Sequence, residues 1–508
     1  MSRRTIAGER RVAVARLAVL ALLLAIVAAG FLARSGVPPA AAGAPGSPNI
    51  VFILTDDQAL RTFRPDVMPR TFDQVVRPGT RFTQALATPP LCCPYRAGLI
   101  TGQHAHNHGV TSNNPGYAQL LDTGNVLPAW LRGAGYETSL VGKYLNGTRE
   151  VLGAGAAPGW DEWYAADLKS GFQDPLIADN GDFVTTQGYL TDVLTDRAVD
   201  YIDDRASEPD PFFLLLAHVA PHPNPRTTAF CSSGQPQPTA SDYRAFDGPS
   251  FRKVRPPSFD EADVSDKPTR IRRLNRLTAD EVKQIHNRWR CTVAALQAVD
   301  RSVGRVMDTL LQTGQLNDTV VIYGSDNGVF YGEHRINHGK GRAYDEAWRV
   351  PFAIRATAGA LGGPAAGRVT ELVTQQDLTA TVLELADAAP CVSPAECRRL
   401  DGRSLMGLLR GDADDWPRRR VLYELWPGCP RKALGVRTAR YVYAQRAPEC
   451  GGGQVELYNV KADPFELENL ATRRPDVAQR MLALARRQRA CTGVEGRDEP
   501  VAGRPFCR

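Results

Sequence analysis

The sequence predicts an α/β fold, and three observations predict it. "NIVFILTDD" (49–57) and "DTVVIYGSDNG" (318–328) are short β-branched apolar runs that stop at carboxylates, "PFFLLLAHVAPH" (211–222) is a third continuous apolar run, and amphipathic helical patterns lie between them. Runs that are apolar on both faces read as strands of a parallel sheet covered by helices. The first delivers Asp56 and Asp57 at its carboxyl edge, and the second delivers Asp326 and Asn327. In open α/β sheets the ligand crevice lies beyond the carboxyl ends of the strands, so the two ends are expected to converge on one site.

The intervening elements follow in order. Tyr189–Asp204 and Cys291–Gln312 place apolar residues three and four apart, as helices packed on a sheet require. Residues 221–268 are dense in Pro, Ser and Asp without periodicity; starting from a strand end that carries His222, they are expected to wall the crevice. After "DGRSLMGLL" (401–409) the texture changes to short strand candidates, "RRVLYELW", "ARYVYAQR" and "QVELYNV", and a basic helix, "DVAQRMLALARRQRA". A catalytic domain over 49–394 and a smaller C-terminal α+β domain over 395–508 are the expected organisation.

The first 48 residues are of another kind. An arginine-rich start precedes the apolar run Leu17–Ala33 and the small-residue stretch "SGVPPAAAGAPGSP". This is the layout of an export signal, with Ala40–Ala42 as a cleavage site, or of an uncleaved anchor through residues 17–33. Six arginines against one acid within residues 1–34 supply five of the six net positive charges, leaving about +1 for the rest. Composition therefore offers no electrostatic case for nucleic acid, and hydrophobic content of 43% excludes a disordered chain. An exported body, whether secreted, periplasmic or held at the cell surface, is expected. Cysteine usage agrees: apart from Cys92 and Cys93, eight remain, an even set that suggests disulfides between sequence neighbours (Cys231/Cys291, Cys391/Cys397, Cys429/Cys450, Cys491/Cys507).

Asp56, Asp57, Asp326 and Asn327 form an all-oxygen donor set of the kind calcium or magnesium takes. Either pair alone reads better as a turn or helix cap; two pairs at matching strand ends favour a metal. The other feature is "LCCPYRAGLITG" (91–102), in which Cys92, Pro94 and Arg96 satisfy CxPxR. Three fixed positions are weak by themselves. Joined to "NIVFILTDDQ" upstream and the trailing "TG", they become specific.

With these motifs the chain resembles the sulfatase family of the alkaline-phosphatase-like superfamily. The resemblance runs through "VGKYLN" (141–146), "VAPHPNP" (219–225), "GSDNGVFYGEHRINHGKGRAYDEAWRVP" (324–351) and "LYNVKADPFELENLA" (457–471), and is strongest to the branch of N-acetylglucosamine-6-sulfatases and heparan endosulfatases. It implies a mixed sheet sandwiched by helices and one calcium ion on Asp56, Asp57, Asp326 and Asn327. It also implies oxidation of Cys92 to formylglycine by a formylglycine-generating enzyme, the modified residue joining the metal's ligands. Arg96 would brace the aldehyde hydrate, Lys143 and Lys340 would contact sulfate, and His222 would serve as general acid for the leaving alcohol. The chemistry is coherent, because an aldehyde hydrate on a divalent cation gains acidity and can attack sulfur. Its second hydroxyl then collapses to the aldehyde and expels sulfate, which serine cannot do.

Two departures from the family pattern stand out. Tyr95 occupies a position where the family usually has serine or another small residue, and Leu145 stands where many members have histidine. His334 of "GEH" and His104, His106 and His108 are left outside the metal and sulfate contacts. The expected substrate is a sulfated carbohydrate such as N-acetylglucosamine-6-sulfate, or an aryl sulfate. Two alternatives stay open: a phosphonate or phosphodiester hydrolase of the same superfamily, and a catalytically silent carbohydrate-binding surface protein.

Overall fold

In the computed structural model, residues 46–507 are described apart from 168, 225, 227, 247, 363–364, 426–431 and 449–452. The apolar run 17–33 and the Cys429/Cys450 pair lie outside the described residues. Among the described residues no helix is long and apolar enough to cross a membrane.

The first apolar run forms β1 (Asn49–Thr55), the centre of a ten-stranded mixed sheet. The other strands are β2 (Thr80–Phe82), β3 (Glu137–Gly142), β4 (Glu162–Ala166), β5 (Leu176–Asp179), β6 (Asp182–Thr185), β7 (Phe212–Ala217), β8 (Thr319–Ser325), β9 (Phe352–Arg355) and β10 (Arg368–Val369). Their spatial order is β10-β2-β9-β8-β1-β7-β3-β4-β5-β6. The five strands from β8 to β4 run parallel, while β9 and the β5–β6 hairpin are antiparallel to their inner neighbours.

Alternation along β1 divides the core. Ile50, Phe52 and Leu54 enter one cluster, with α1 (Cys92–Thr101) and α4 (Gln375–Leu385). Val51 and Ile53 enter the other, with α2 (Leu190–Asp204) and α3 (Ala279–Gln312). A strand buried on both faces needs apolar residues at every position, which explains the unbroken run.

Three expectations are corrected in detail. Helix α3 begins at Ala279 instead of Cys291, behind a capping box in which Thr278 and Glu281 exchange hydrogen bonds. Residues 221–268 are not without structure: they hold short helices at Ala240–Ala245 and Phe251–Val254 and are tied to α3 by the Cys231–Cys291 disulfide. The C-terminal sheet has four strands: β11 (Arg420–Leu425), β12 (Ala433–Thr438), β13 (Val442–Arg446) and β14 (Val455–Tyr458), packed against α5 (Pro475–Arg489). Strand β12 is additional to the three strand candidates of the sequence. Disulfides Cys391–Cys397 and Cys491–Cys507 join the expected neighbours, and Cys92 and Cys93 are free.

Candidate active site

Register builds the site. Thr55 at the end of β1 pairs with Ser325 at the end of β8, so Asp56–Asp57 and Asp326–Asn327 leave the sheet side by side. Asp57 takes a left-handed backbone (φ 65°), uncommon outside glycine, which turns the chain sharply at the strand edge. Its amide donates to Asp326 Oδ1 at 3.2 Å, and Asn327 Nδ2 donates to Asp57 Oδ1 at 2.7 Å. The four residues thus form one connected, buried set.

Helix α1 brings the thiol. Cys92 is its first residue, after an extended Leu91, and Gly102 ends it in the left-handed conformation (φ 66°). Cys92 and Arg96 stand one turn apart and share a face. Tyr95 and Leu99 turn instead into the apolar core, so Tyr95 is a packing residue here. Arg96 Nε donates to Asp326 Oδ2 at 2.9 Å and Nη1 to the Lys143 carbonyl at 2.7 Å. The second thiol, Cys93, accepts from the Asn146 amide at 3.0 Å and faces away from the acids.

Two lysines close the charge balance. Gly142 ends β3 at φ 114°, where a Cβ would meet the Ala217 carbonyl oxygen at 2.1 Å, and Lys143 follows with its ammonium on Asp56 Oδ2. Lys340 Nζ contacts Asp57 Oδ1 and lies 2.8 Å from Cys92 Sγ, which is itself 3.3 Å from Asp56 Oδ1. His222 Nδ1 donates to the Pro223 carbonyl at 2.7 Å, leaving Nε2 3.7 Å from Asp57 Oδ2 at the mouth of the cleft.

Burial would raise Asp56, but Lys143, His222, Arg96 and Lys340 outweigh it and hold the carboxyl well below its ordinary range. Burial likewise opposes ionisation of Asp57, and Lys340 and His222 reverse it. Burial and the nearby Asp56 push Asp326 up to about 6, although Arg96 grips one of its oxygens. The Cys92 thiol is driven up by burial and by Asp56, so an unmodified sulfur there stays protonated and is a poor nucleophile. Burial also lowers His222, against the pull of Asp56 and Asp57.

All nine residues singled out from the sequence, Asp56, Asp57, Cys92, Arg96, Lys143, His222, Asp326, Asn327 and Lys340, are thus in one cleft. The donors fit a hard divalent cation. Single ligand atoms of Asp56, Asp57, Cys92 and His222 lie within 4.8 Å of one another, and Asn327 Oδ1 is buried without a partner. Three carboxylates face three permanent cations, so a divalent ion leaves the cleft with an excess of positive charge suited to an anion. His104, His106 and His108 lie elsewhere: His106 Nδ1 meets Glu424 at 3.0 Å and the His104 amide donates to Asp401. Sequence reasoning missed His338. Burial pushes it down to about 4, and Asp57, Lys340 and His222 act on it electrostatically. Its spacing two before Lys340 in "NHGKGR" was the available signal.

Known proteins resemble this chain in family and in fold. A family model described as "Sulfatase" matches residues 48–388, and one described as "N-sulphoglucosamine sulphohydrolase, C-terminal" matches 332–489. The chain is 29% identical to an N-acetylglucosamine-6-sulfatase of Homo sapiens, over 93% of this chain and 89% of the relative. It is 31% identical to an extracellular sulfatase Sulf-1 homolog of Caenorhabditis elegans over 71% of this chain, and spans about half (49%) of that relative's length. Among solved structures, one determined in complex with its substrate D-glucosamine-2-N,6-O-disulfate superposes with a TM-score of 0.64 at 22% identity, covering 87% of this chain and 97% of the other. At that identity the likeness speaks for the fold.

Proposed function

The chain belongs to the sulfatase family of sulfuric ester hydrolases, and from that premise we propose that it cleaves sulfate monoesters from a sulfated sugar outside the cytoplasm, using Cys92 in its formylglycine form and one calcium ion. The observation that carries the proposal is the surrounding of Cys92 Sγ, with Asp56 at 3.3 Å and Lys340 at 2.8 Å in a buried, charge-matched cleft. An oxidisable thiol has no use there in a protein that only binds.

Formylglycine with calcium supplies an acidic hydroxyl nucleophile at position 92. The rest is work for this chain's own side chains. Asp56, Asp57, Asp326 and Asn327 hold the cation, and Arg96 fixes Asp326 and the Lys143 backbone so that strand end and helix cannot drift apart. Lys143 and Lys340 offer compact positive charge to the sulfate oxygens. His222, its Nδ1 donating to the Pro223 carbonyl, would give up an Nε2 proton to the departing alcohol from its imidazolium form, which Asp56 and Asp57 favour against burial. An N-acetylglucosamine-6-sulfate substrate is supported by the human relative, which is named an N-acetylglucosamine-6-sulfatase. Extracellular placement is supported by the nematode relative's name and by the export-type leader. Maturation would require a formylglycine-generating enzyme, and residues 17–33 would provide any membrane anchoring.

The test joins two measurements on protein made in a host that matures sulfatases. The mass of the peptide containing Cys92 should show sulfur replaced by oxygen, and turnover of an aryl sulfate should exceed that of the matching phosphate and phosphonate esters. Faster phosphoester turnover would assign the cleft to phosphoryl or phosphonyl transfer instead. Substrate binding without turnover by fully converted protein would make it a carbohydrate-binding surface protein.

A further inference from the structure

A second cluster of ligating side chains shares no residue with the cleft. His334 from the loop after β8, Glu346 from the short helix Asp345–Trp348, and Glu466 from the segment after β14 each place one ligand atom within 4.8 Å of the other two. The His334 and Glu466 side chains are almost completely buried, and the Glu346 side chain is 9% exposed.

Each residue has one polar atom held by a neighbour and one left free. His334 Nδ1 meets Glu261 Oε2 at 2.7 Å, and its Nε2 has no partner. Glu346 Oε1 accepts from Ser258 Oγ at 3.3 Å, and its Oε2 has none. Glu466 Oε2 accepts from the Asp345 amide at 2.9 Å, and its Oε1 has none. His334 Nε2 lies 4.0 Å from Glu346 Oε2. Three buried, unsatisfied atoms that approach one another need a shared partner. The supports extend further outward: Lys267 holds Glu261 at 3.1 Å, and the Tyr344 ring stacks on His334 at 4.3 Å. A carboxylate behind an imidazole whose far nitrogen is free is the arrangement that orients histidine toward a metal.

We propose that His334, Glu346 and Glu466 form a second metal site, for zinc, that clamps the C-terminal segment onto the catalytic half of the chain. One imidazole nitrogen and two carboxylate oxygens suit zinc with water in a fourth position. The imidazole donor disfavours calcium, which takes oxygen ligands. Burial, with neighbouring acids, pushes the Glu346 and Glu466 carboxyls up, and a cation opposes that effect.

The test uses the full chain, stripped of metal, then given zinc with excess calcium to occupy the cleft, and desalted before elemental analysis. Retention of about one zinc per chain by the unaltered protein and by Asp326→Asn, with loss of that zinc in Glu466→Gln and His334→Asn, is the expected result. No retained zinc, or equal retention in all four proteins, overturns the proposal. Should the two variants fail to fold, crystals of the unaltered chain soaked in zinc decide it by anomalous diffraction at the zinc edge. A peak among the three residues supports the site, and none there overturns it. Aryl sulfate turnover is measured separately, so failure here leaves the cleft's assignment untouched.

Discussion

Two buried clusters of acids, one in the cleft and one around His334, fare differently. In the cleft, Arg96, Lys143 and Lys340 match Asp56, Asp57 and Asp326 charge for charge, and Asp56 is held well below its ordinary range. Around His334, the six acids Glu261, Asp266, Glu333, Asp345, Glu346 and Glu466 meet four permanent cations in Arg61, Lys267, Arg349 and Arg437, and Glu466 is driven well above its ordinary range. Burial acts alike on both. The lesson is that the count of fixed cations, not depth, decides whether buried carboxylates are set to receive an anion or a cation.

The strongest way to break this contrast is Cys92→Ala. It should lower aryl sulfate turnover by about 10⁴-fold or more while leaving zinc uptake by the other cluster intact. If turnover survives, the cleft's assignment fails. Next, Lys143→Ala removes one of the matched cations and should reduce kcat by about 10²–10³-fold in steady-state assays.

Glu424 sharpens the comparison as an intermediate case, since it is paired with the titratable His106. Burial opposes its ionisation, yet His106 holds it down to about 2. Glu424→Gln should cost on the order of 3 kcal/mol near pH 6, read by denaturant unfolding. The sign follows from both partners. Glu424's contribution is present above its unfolded value of 4.5 and lost as pH falls through about 2. His106, raised by Glu424 against the effect of burial, contributes below 6.5 and loses that contribution as pH climbs through its raised value. The gap between variant and parent should therefore be widest between 4.5 and 6.5. Smallest of all, Glu466→Gln should change turnover by less than about twofold, because none of the nine cleft residues hydrogen-bonds or ion-pairs with it.

Much of the site was legible because its parts are local. A β-branched run ending in "TDD" or "SDN" fixes both the strand and where its acids emerge, and CxPxR places Cys92 and Arg96 on one helical turn. What was not legible depends on distant partners. Strand β12 carries Gly435 in its middle, a poor strand former, tolerated because a Cβ there would meet the Tyr443 carbonyl oxygen at 2.3 Å. The first turns of α3 are polar and exposed, so periodicity failed there, although Thr278 and Glu281 carried a capping signal. For His338 the sequence offers only its spacing before Lys340, and its electrostatic neighbours Asp57 and His222 come from distant segments; Glu466 lies over a hundred residues beyond its partners.

One core cluster has a practical consequence. Leu86, Leu91, Phe330, Tyr344 and Trp348 from the catalytic half share a single apolar interior with Val421, Tyr423, Leu425, Val442 and Tyr458 from the C-terminal sheet. Leu91 immediately precedes Cys92. Cutting the chain near residue 394 would strip that interior of half its wall beside the nucleophile position, so the two halves are not exchangeable modules. Chimeras that graft a foreign C-terminal sheet should be judged first by whether this shared interior is refilled.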